Sequence, residues 1–518
     1  MRQTPVLVVG GSLTGLSAAL FLGVHGVPAL VVERRPDVLA HPRLRGLLPR
    51  AMELYRQAGI EAAITAVCPP AEETGRLVSV HAATLDAEHE ILGEGPADHV
   101  EDPDAQPLTP CRFVPIAQDD LERILVERAR KLGADIRFGT ELLSLDDDAD
   151  GVTARLRGPD GAQETVRAHY AVAADGAGSP LRRARGIDWT GPGTLFRMAT
   201  MFVRADLSAA LRGRAVGMAY LDTPATGTTL GPLDSSGRHW FFATAMTPGT
   251  ERAAPADWVR AATGLPDLDV EILEQAPGTG QVLTFPIGAR VARQFVRGRV
   301  FLAGDAAHLM PPTGGLGGLT AIEDAHNLAW KLARVLRGDA GPALLATYGT
   351  ERRPVAERAV RQSYARGRTR WRFTDQGGEE PLLDLDTLMF ATRYGSAGEP
   401  APDPRELRGM PGTRAPHVPV SQDGDEPMST LDLYGTELVL HVGPEGDAWA
   451  AAAARAAQDL GVNVDTYHLD ADLAEPHGIG THGALLVRPD GHVAWRAEGE
   501  QEGSEGHFAQ VLRGVLHR

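Results

Sequence analysis

The chain has 518 residues, too many for one ordinary core, so two or three domains are expected. Its net charge of −17 argues against nucleic acid or an anionic membrane surface as the main partner. Its two cysteines, Cys68 and Cys111, form no C-x-x-C, so neither a zinc site nor a redox dithiol is supported. No apolar run nears the ~20 residues of a membrane span and no leader pattern opens the chain; a reduced, cytoplasmic enzyme is expected.

In chain order, residues 5–35 read as a βαβ unit: a strand over 6–9, a helix over 13–26 with Leu16, Leu20 and Val24 on one face, and a strand over 29–33. Helices are expected over 47–59 and 118–132. Strands are expected over 135–138, 152–156 and 170–174, leading to Asp175-Gly176. Residues 187–285 change to short apolar runs (198–203, 239–245, 282–285) broken by turns, which predicts an inserted antiparallel sheet; residues 75–114 add strands to it. A buried strand over 299–303 precedes Gly304-Asp305-Ala306-Ala307-His308 and the loop Pro311-Pro312-Thr313-Gly314-Gly315. A helix follows, beginning near Leu319, with a clear apolar face over 321–336. A boundary near 405 leads to a small αβ module: a strand over 438–442, a helix over 448–460, and a hairpin of 484–487 with 493–496.

Three segments carry chemistry. Gly10-Gly11-Ser12-Leu13-Thr14-Gly15 lies between a strand and a helix, with Glu33 about twenty residues on, as a dinucleotide fingerprint requires. Ser12 stands where that fingerprint has glycine; its short side chain is tolerable and can donate to a phosphate oxygen. Asp305 can hold a polyol, and the Pro/Gly loop before a helix start can aim backbone N–H groups at an electron-rich ring. The third segment is Asp175-Gly176 with Ser179 and Arg182. Two distant cofactor segments suggest one long cofactor, FAD. The basic residues are almost all arginine, so Arg366, Arg368, Arg370 and Arg372 read as a solvated stretch.

These motifs resemble the FAD-dependent aromatic hydroxylases of the para-hydroxybenzoate hydroxylase type, and among them the polyketide hydroxylases with a C-terminal thioredoxin-like domain. The resemblance spans the whole chain. Besides the segments above it rests on Glu33-Arg34-Arg35-Pro36, His41-Pro42-Arg43, Arg50 to Leu54, Gln118 with Leu121-Glu122, Asp324 to Leu332, Arg414 to His417, Ser429 to Asp432, and Val487-Arg488-Pro489-Asp490-Gly491.

The resemblance implies an α/β fold: a Rossmann-like FAD-binding domain (1–74, 115–186, 286–400), an inserted antiparallel-sheet substrate domain (75–114, 187–285) and a thioredoxin-like domain (410–518). It implies non-covalent FAD held by Gly10, Ser12, Leu13, Thr14, Gly15, Glu33, Arg34, Arg43, Gln118, Asp175, Gly304, Asp305, Pro312, Gly315, Gly317, Gly318 and Leu319, and no metal. By the resemblance, relatives often carry Asn near position 319 and Gly near 321, where this chain has Leu319 and Ala321. Tyr220 matches a pocket tyrosine able to hydrogen-bond or deprotonate a phenol, whereas Phe196, Met201, Trp240, Phe242 and Phe285 read as core. The expected reaction is hydroxylation of a small-molecule, polycyclic phenol by a flavin C4a-hydroperoxide, with NADPH or NADH as transient donor and O2 as co-substrate. A Baeyer–Villiger or epoxidising oxygenase is the alternative, and a homodimer is compatible with the reading. The tail lacks a thioredoxin dithiol, so a structural role is expected for it.

Overall fold

A computed structural model describes residues 1–38, 46–68, 78–94, 107–234, 236–275, 280–371, 380–396, 399–420, 428–499 and 504–518. Arg2–Val9 and Ala29–Glu33 are the first two strands, and Val6, Leu7, Val8, Leu30 and Val31 are at most 1% exposed. Runs that apolar suit a parallel sheet covered on both faces. That sheet has eight described strands. Its main path runs Val296–Arg297, Val300–Leu302, Gln163–Ala173, Arg2–Val9, Ala29–Glu33, Asp135–Phe138, with the pair Glu141–Asp147 and Val152–Arg157 alongside Gln163–Ala173. The helices Leu13–Val24 and Leu316–Arg337 pack against each other and share its core.

The second sheet has nine described strands. The long strand Trp189–Arg204 is its spine, flanked by His239–Ala245 and Leu283–Ala292. Pairing is antiparallel as expected, with one exception: Val216–Leu221 lies parallel to Val78–Ala82, because the chain reaches this sheet in two separate excursions. Leu283–Ala292 stays in this sheet along its whole length, and His308–Leu309 pairs with it. The sheet therefore runs past the boundary expected at 285, directly to the turn that begins at Gly304.

The tail forms a four-stranded sheet in the order Val464–His468, Leu438–Val442, Ala484–Val487, Val493–Ala497, with the first pair parallel and the others antiparallel. Val464–His468 is absent from the sequence-based expectations; its exposed, polar residues give no apolar signal. The tail does not stand apart. Trp330, Ala340 and Leu344 share a core with Leu438, Trp449, Phe508 and Leu512.

Candidate active site

The strand Arg2–Val9 ends at Gly10, whose φ of +109° and closeness to Ala174 admit only glycine: a Cβ there would lie 2.1 Å from the Ala174 carbonyl oxygen. A Cβ on Gly15 would lie 1.9 Å from the Gly10 carbonyl oxygen, so this glycine lets the helix Leu13–Val24 close onto the strand. The helix N-terminus is occupied by a side chain from another helix, Gln118–Lys131. Glu122 is fully buried, and its Oε1 accepts from the Leu13 N–H at 3.0 Å, Ser12 Oγ at 2.5 Å and Gln118 Nε2 at 2.7 Å. Gln118 Nε2 also reaches Ser12 Oγ at 3.1 Å. The Ser12 hydroxyl thus donates to Glu122 rather than pointing free toward a phosphate. Glu122 Oε2 is buried without a partner among the described residues.

Glu33 is buried at the end of its strand. Its carboxylate accepts from the N–H groups of Gly11 (2.8 Å) and Arg35 (2.9 Å) and from Arg35 Nε (3.0 Å). Burial by itself would raise this carboxyl, but the Arg35 and Gly11 donors outweigh it and hold it below the ordinary value. Arg34 is exposed, and Arg43 lies outside the described residues.

The second cofactor segment meets the first. Gly304 (φ +60°) packs on Thr14, and a Cβ on it would lie 2.3 Å from Thr14 Oγ1. Asp305 follows, exposed, in the short helix Gly304–Ala306. This turn is anchored from below by Asp324, which is fully buried: its Oδ2 accepts from the Gly304 N–H (3.1 Å) and His308 Nε2 (2.8 Å), and its Oδ1 from Arg352 Nε (2.8 Å). Burial would raise the Asp324 carboxyl; His308 and Arg352 outweigh it and keep it lowered.

The helix after the loop is Leu316–Arg337, beginning three residues earlier than expected, with Gly315 (φ +67°) as its N-cap. Gly317, Gly318 and Leu319 are therefore its first turn. Gly315 is exposed, Gly317 and Gly318 are half-buried, and Pro312 is exposed; the first N–H groups of a helix have no partner within it. Leu319 is buried in the core. The helix Ala346–Trp371 fixes the loop: Thr313 Oγ1 donates to the Ser363 carbonyl and Ser363 Oγ to the Pro311 carbonyl, both at 2.5 Å.

The same helix reaches the substrate side. Arg366 touches Gly314, where a Cβ would lie 3.2 Å from Arg366 Cδ. One turn on, about 6 Å along the axis, Arg370 Nη1 donates to the Tyr220 hydroxyl at 3.4 Å, with its guanidinium 5.5 Å from the ring centroid. Trp371 Nε1 donates to Thr229 Oγ1 at 3.3 Å, and Phe196 meets the Trp371 ring edge-on. Tyr220 sits in a cluster with Met198, Ala243, Ile287 and Trp371. Burial pushes its hydroxyl up to about 12 and Arg370 down to about 10. A hydroxyl held protonated in this way suits a hydrogen-bonding role. Arg366 is buried and Arg370 half-buried, so the solvated reading fails for both; their i,i+4 spacing with Gln362 was the available signal. Met201, Trp240 and Phe242 are core as expected, whereas Phe196 lines the Tyr220 cluster and Phe285 is 38% exposed.

Asp175 lies beside the Gly10 turn. Its Oδ2 accepts from the Leu181 N–H at 3.0 Å, and its Oδ1 is buried without a partner among the described residues. Burial raises its carboxyl. Gly15 packs on Gly10, Gly304 packs on Thr14 of the same loop, and Asp305 and Gly315 are exposed; these residues fit an extended dinucleotide such as FAD. Among the described residues no group of side chains could hold a metal ion, and no helix is long and apolar enough to cross a membrane.

Residues 3–363 match the FAD binding domain family, and residues 408–518 match the C-terminal domain of aromatic-ring hydroxylases. Aklavinone 12-hydroxylase RdmE of Streptomyces purpurascens is 40% identical over all of this chain and 99% of its own. The 4-methyl-5-nitrocatechol 5-monooxygenase of a Burkholderia species is 38% identical over all of this chain and 98% of its own. A crystal structure of aklavinone-11 hydroxylase in a ternary complex with FAD and aklavinone superposes over the full length of both chains, with a TM-score of 0.88 and 36% identity. Fold, cradle and likeness along the entire length agree: the chain belongs to the FAD-dependent aromatic-ring hydroxylases.

Proposed function

We propose that this monooxygenase hydroxylates a phenolic ring of a polycyclic, polyketide-type substrate, using NADPH or NADH and O2, in the cytoplasm. The observation that carries the substrate reading is the Tyr220–Arg370 pair, set in an apolar wall one helical turn from the Gly314 loop. FAD, when bound, supplies electron transfer from the nicotinamide donor and activation of O2. The chain's residues supply the rest. Gly10, Ser12, Leu13, Thr14, Gly15, Glu33, Arg34, Arg43 and Gln118 would bind the nucleotide end; Asp175, Gly304 and Asp305 the middle; and Pro312, Gly315, Gly317, Gly318 and Leu319 the ring, through backbone.

The Tyr220 hydroxyl donates to a substrate phenol oxygen, and the Arg370 guanidinium beside it favours the ionised phenolate, whose ring is the better nucleophile toward an electrophilic oxygen. Phe196, Met198, Ile287 and Trp371 exclude water around that ring. Cys68 and Cys111 are both free thiols, in keeping with a reducing compartment.

The test is steady-state oxidation of NADPH and NADH with polycyclic phenols and with 4-methyl-5-nitrocatechol, followed by product mass. Oxidation should be slow alone and fast with a polycyclic phenol, giving a product one oxygen heavier, labelled from 18-O2. Tyr220→Phe should lower kcat/KM by roughly 10- to 100-fold, the worth of a hydrogen bond to a charged group. Label arriving from water, or the nitrocatechol as the preferred substrate, refutes the corresponding half of the proposal.

A further inference from the structure

Two consecutive residues of the helix Ala346–Trp371 face different parts of the molecule. Glu351 turns toward the tail. It accepts from Arg488 Nη1 (2.7 Å) and Nη2 (3.0 Å), and from Lys331 Nζ (2.7 Å) and Asn327 Nδ2 (2.8 Å). Arg352 turns toward the cofactor segment and donates to Asp324, the carboxylate that holds the Gly304 N–H and His308. On the tail side, Asp490 grips Arg488 and accepts from Asn327 Nδ2 at 3.1 Å. Tyr394 closes a second path: its hydroxyl accepts from Arg352 Nη1 at 3.3 Å, and the Arg488 guanidinium lies 5.2 Å from its ring centroid. The side chains of Lys331, Arg352, Asp324 and Asp490 are at most 1% exposed, and those of Glu351 and Arg488 are 13% and 12% exposed.

A buried charge that loses its partner is costly, so such a chain of pairs moves together or not at all. We propose that Arg488 and Asp490 are positioning residues for the cofactor, acting through Glu351, Arg352 and Asp324 on the backbone of the 304–308 turn. The tail is then part of the flavin site's scaffold. The inference rests on FAD binding at that turn.

Apoprotein titrated with FAD supplies the test, and the wild-type titration checks FAD binding on its own: no binding there refutes the cofactor reading, not the coupling. Asp490→Asn and Arg488→Ala should each raise the FAD dissociation constant about tenfold and shift the flavin reduction potential. Arg488→Lys should restore part of the loss. Arg56→Ala cuts a different bridge to the tail, Arg56 Nε and Nη2 to Asp432 at 2.7 and 2.9 Å, and should stay within about twofold. Asp490→Asn combined with Asp324→Asn should cost less than the sum of the two. A folded Arg488→Ala protein with unchanged FAD affinity overturns the proposal, as does equal loosening by Arg56→Ala, which would make docking of the whole tail the cause.

Should the variants not fold, the wild type decides by hydrogen exchange. Coupling is reciprocal, so FAD must protect amides of residues 487–493 more than those of Val464–His468 in the same sheet. Equal protection of the two overturns the proposal.

Discussion

Gly304 packs against Thr14 so closely that a Cβ on the glycine would lie 2.3 Å from the threonine Oγ1 and 2.9 Å from its Cγ2. This contact joins two cofactor segments separated by most of the cofactor domain's sequence. Gly304→Ala should therefore cost more than the roughly 1–2 kcal/mol of a left-handed alanine, and FAD affinity should fall with it. Thr14→Ala in the same protein removes the two clashing atoms and should recover part of the loss. Paired FAD titrations and urea melts check this; no recovery in the double variant would show that φ alone sets the cost.

Asp324 is the anchor beneath that turn. Asp324→Ala leaves buried Arg352 with Glu323 (Nη2 to Oε2, 3.0 Å) as its remaining carboxylate, beside the neutral Tyr394 hydroxyl and Thr320 carbonyl, and frees the Gly304 N–H. The loss should be about 3–5 kcal/mol of unfolding free energy, the usual result of removing one partner of a buried pair. Equilibrium urea denaturation measures it, and a change below about 1 kcal/mol would contradict the anchoring role of Asp324.

Ser12 donates to Glu122, so Ser12→Gly is not neutral. It removes one of the three donors on Glu122 Oε1 and should cost about 1.5–3 kcal/mol, the range for a hydrogen bond to a charged group. Ser12→Thr keeps the hydroxyl and should retain more stability than Ser12→Gly if Glu122 is the partner that matters. Thermal melts of the two proteins, with and without FAD, distinguish the cases.

Stability should fall with acid well before the carboxylates titrate. Burial lowers His25 and His326 from 6.5 to about 3, so both are neutral in the folded chain while an unfolded histidine binds a proton below about 6.5. The unfolded state therefore holds more protons between those values, and stability declines as pH drops through that window, by on the order of a few kcal/mol. His326 Nε2 donates to Gln57 Oε1 at 2.7 Å; His326→Gln keeps a donor without titrating and should flatten the slope. Glu351 is lowered to about 2 against the pull of burial, by Arg488 and Lys331, so its contribution is lost only in stronger acid. Urea melts from about pH 7.5 to about pH 4 read the histidine effect, and extending them to about pH 2 reads that of Glu351.

Much of this protein follows from local pattern. The strands Ala29–Glu33, Asp135–Phe138, His239–Ala245, Leu438–Val442 and Ala484–Val487 have the expected bounds, because short apolar or alternating runs end at turn residues. The helix Leu316–Arg337 starts earlier than its pattern predicts because glycines in its first turn carry no periodic signal; its N-cap is a left-handed Gly315. Glycines of the cofactor loops were legible because backbone approach demands them wherever the partner lies. The partners were not. Ser12 with Glu122, Gly304 with Asp324, Tyr220 with Arg370, and Glu351 with Arg488 are separated by between 20 and 150 residues. Each side chain has the same local sequence whether it faces solvent or a buried counter-charge, and arginine is common along the whole chain. Sequence thus determined the fold class, the cofactor loops and the family resemblance. Only tertiary packing decided which arginines are buried, which carboxylate holds the 304–308 turn, and that the tail joins the cofactor domain through a shared core and a buried ion network, because desolvation and pairing arise only where distant segments meet.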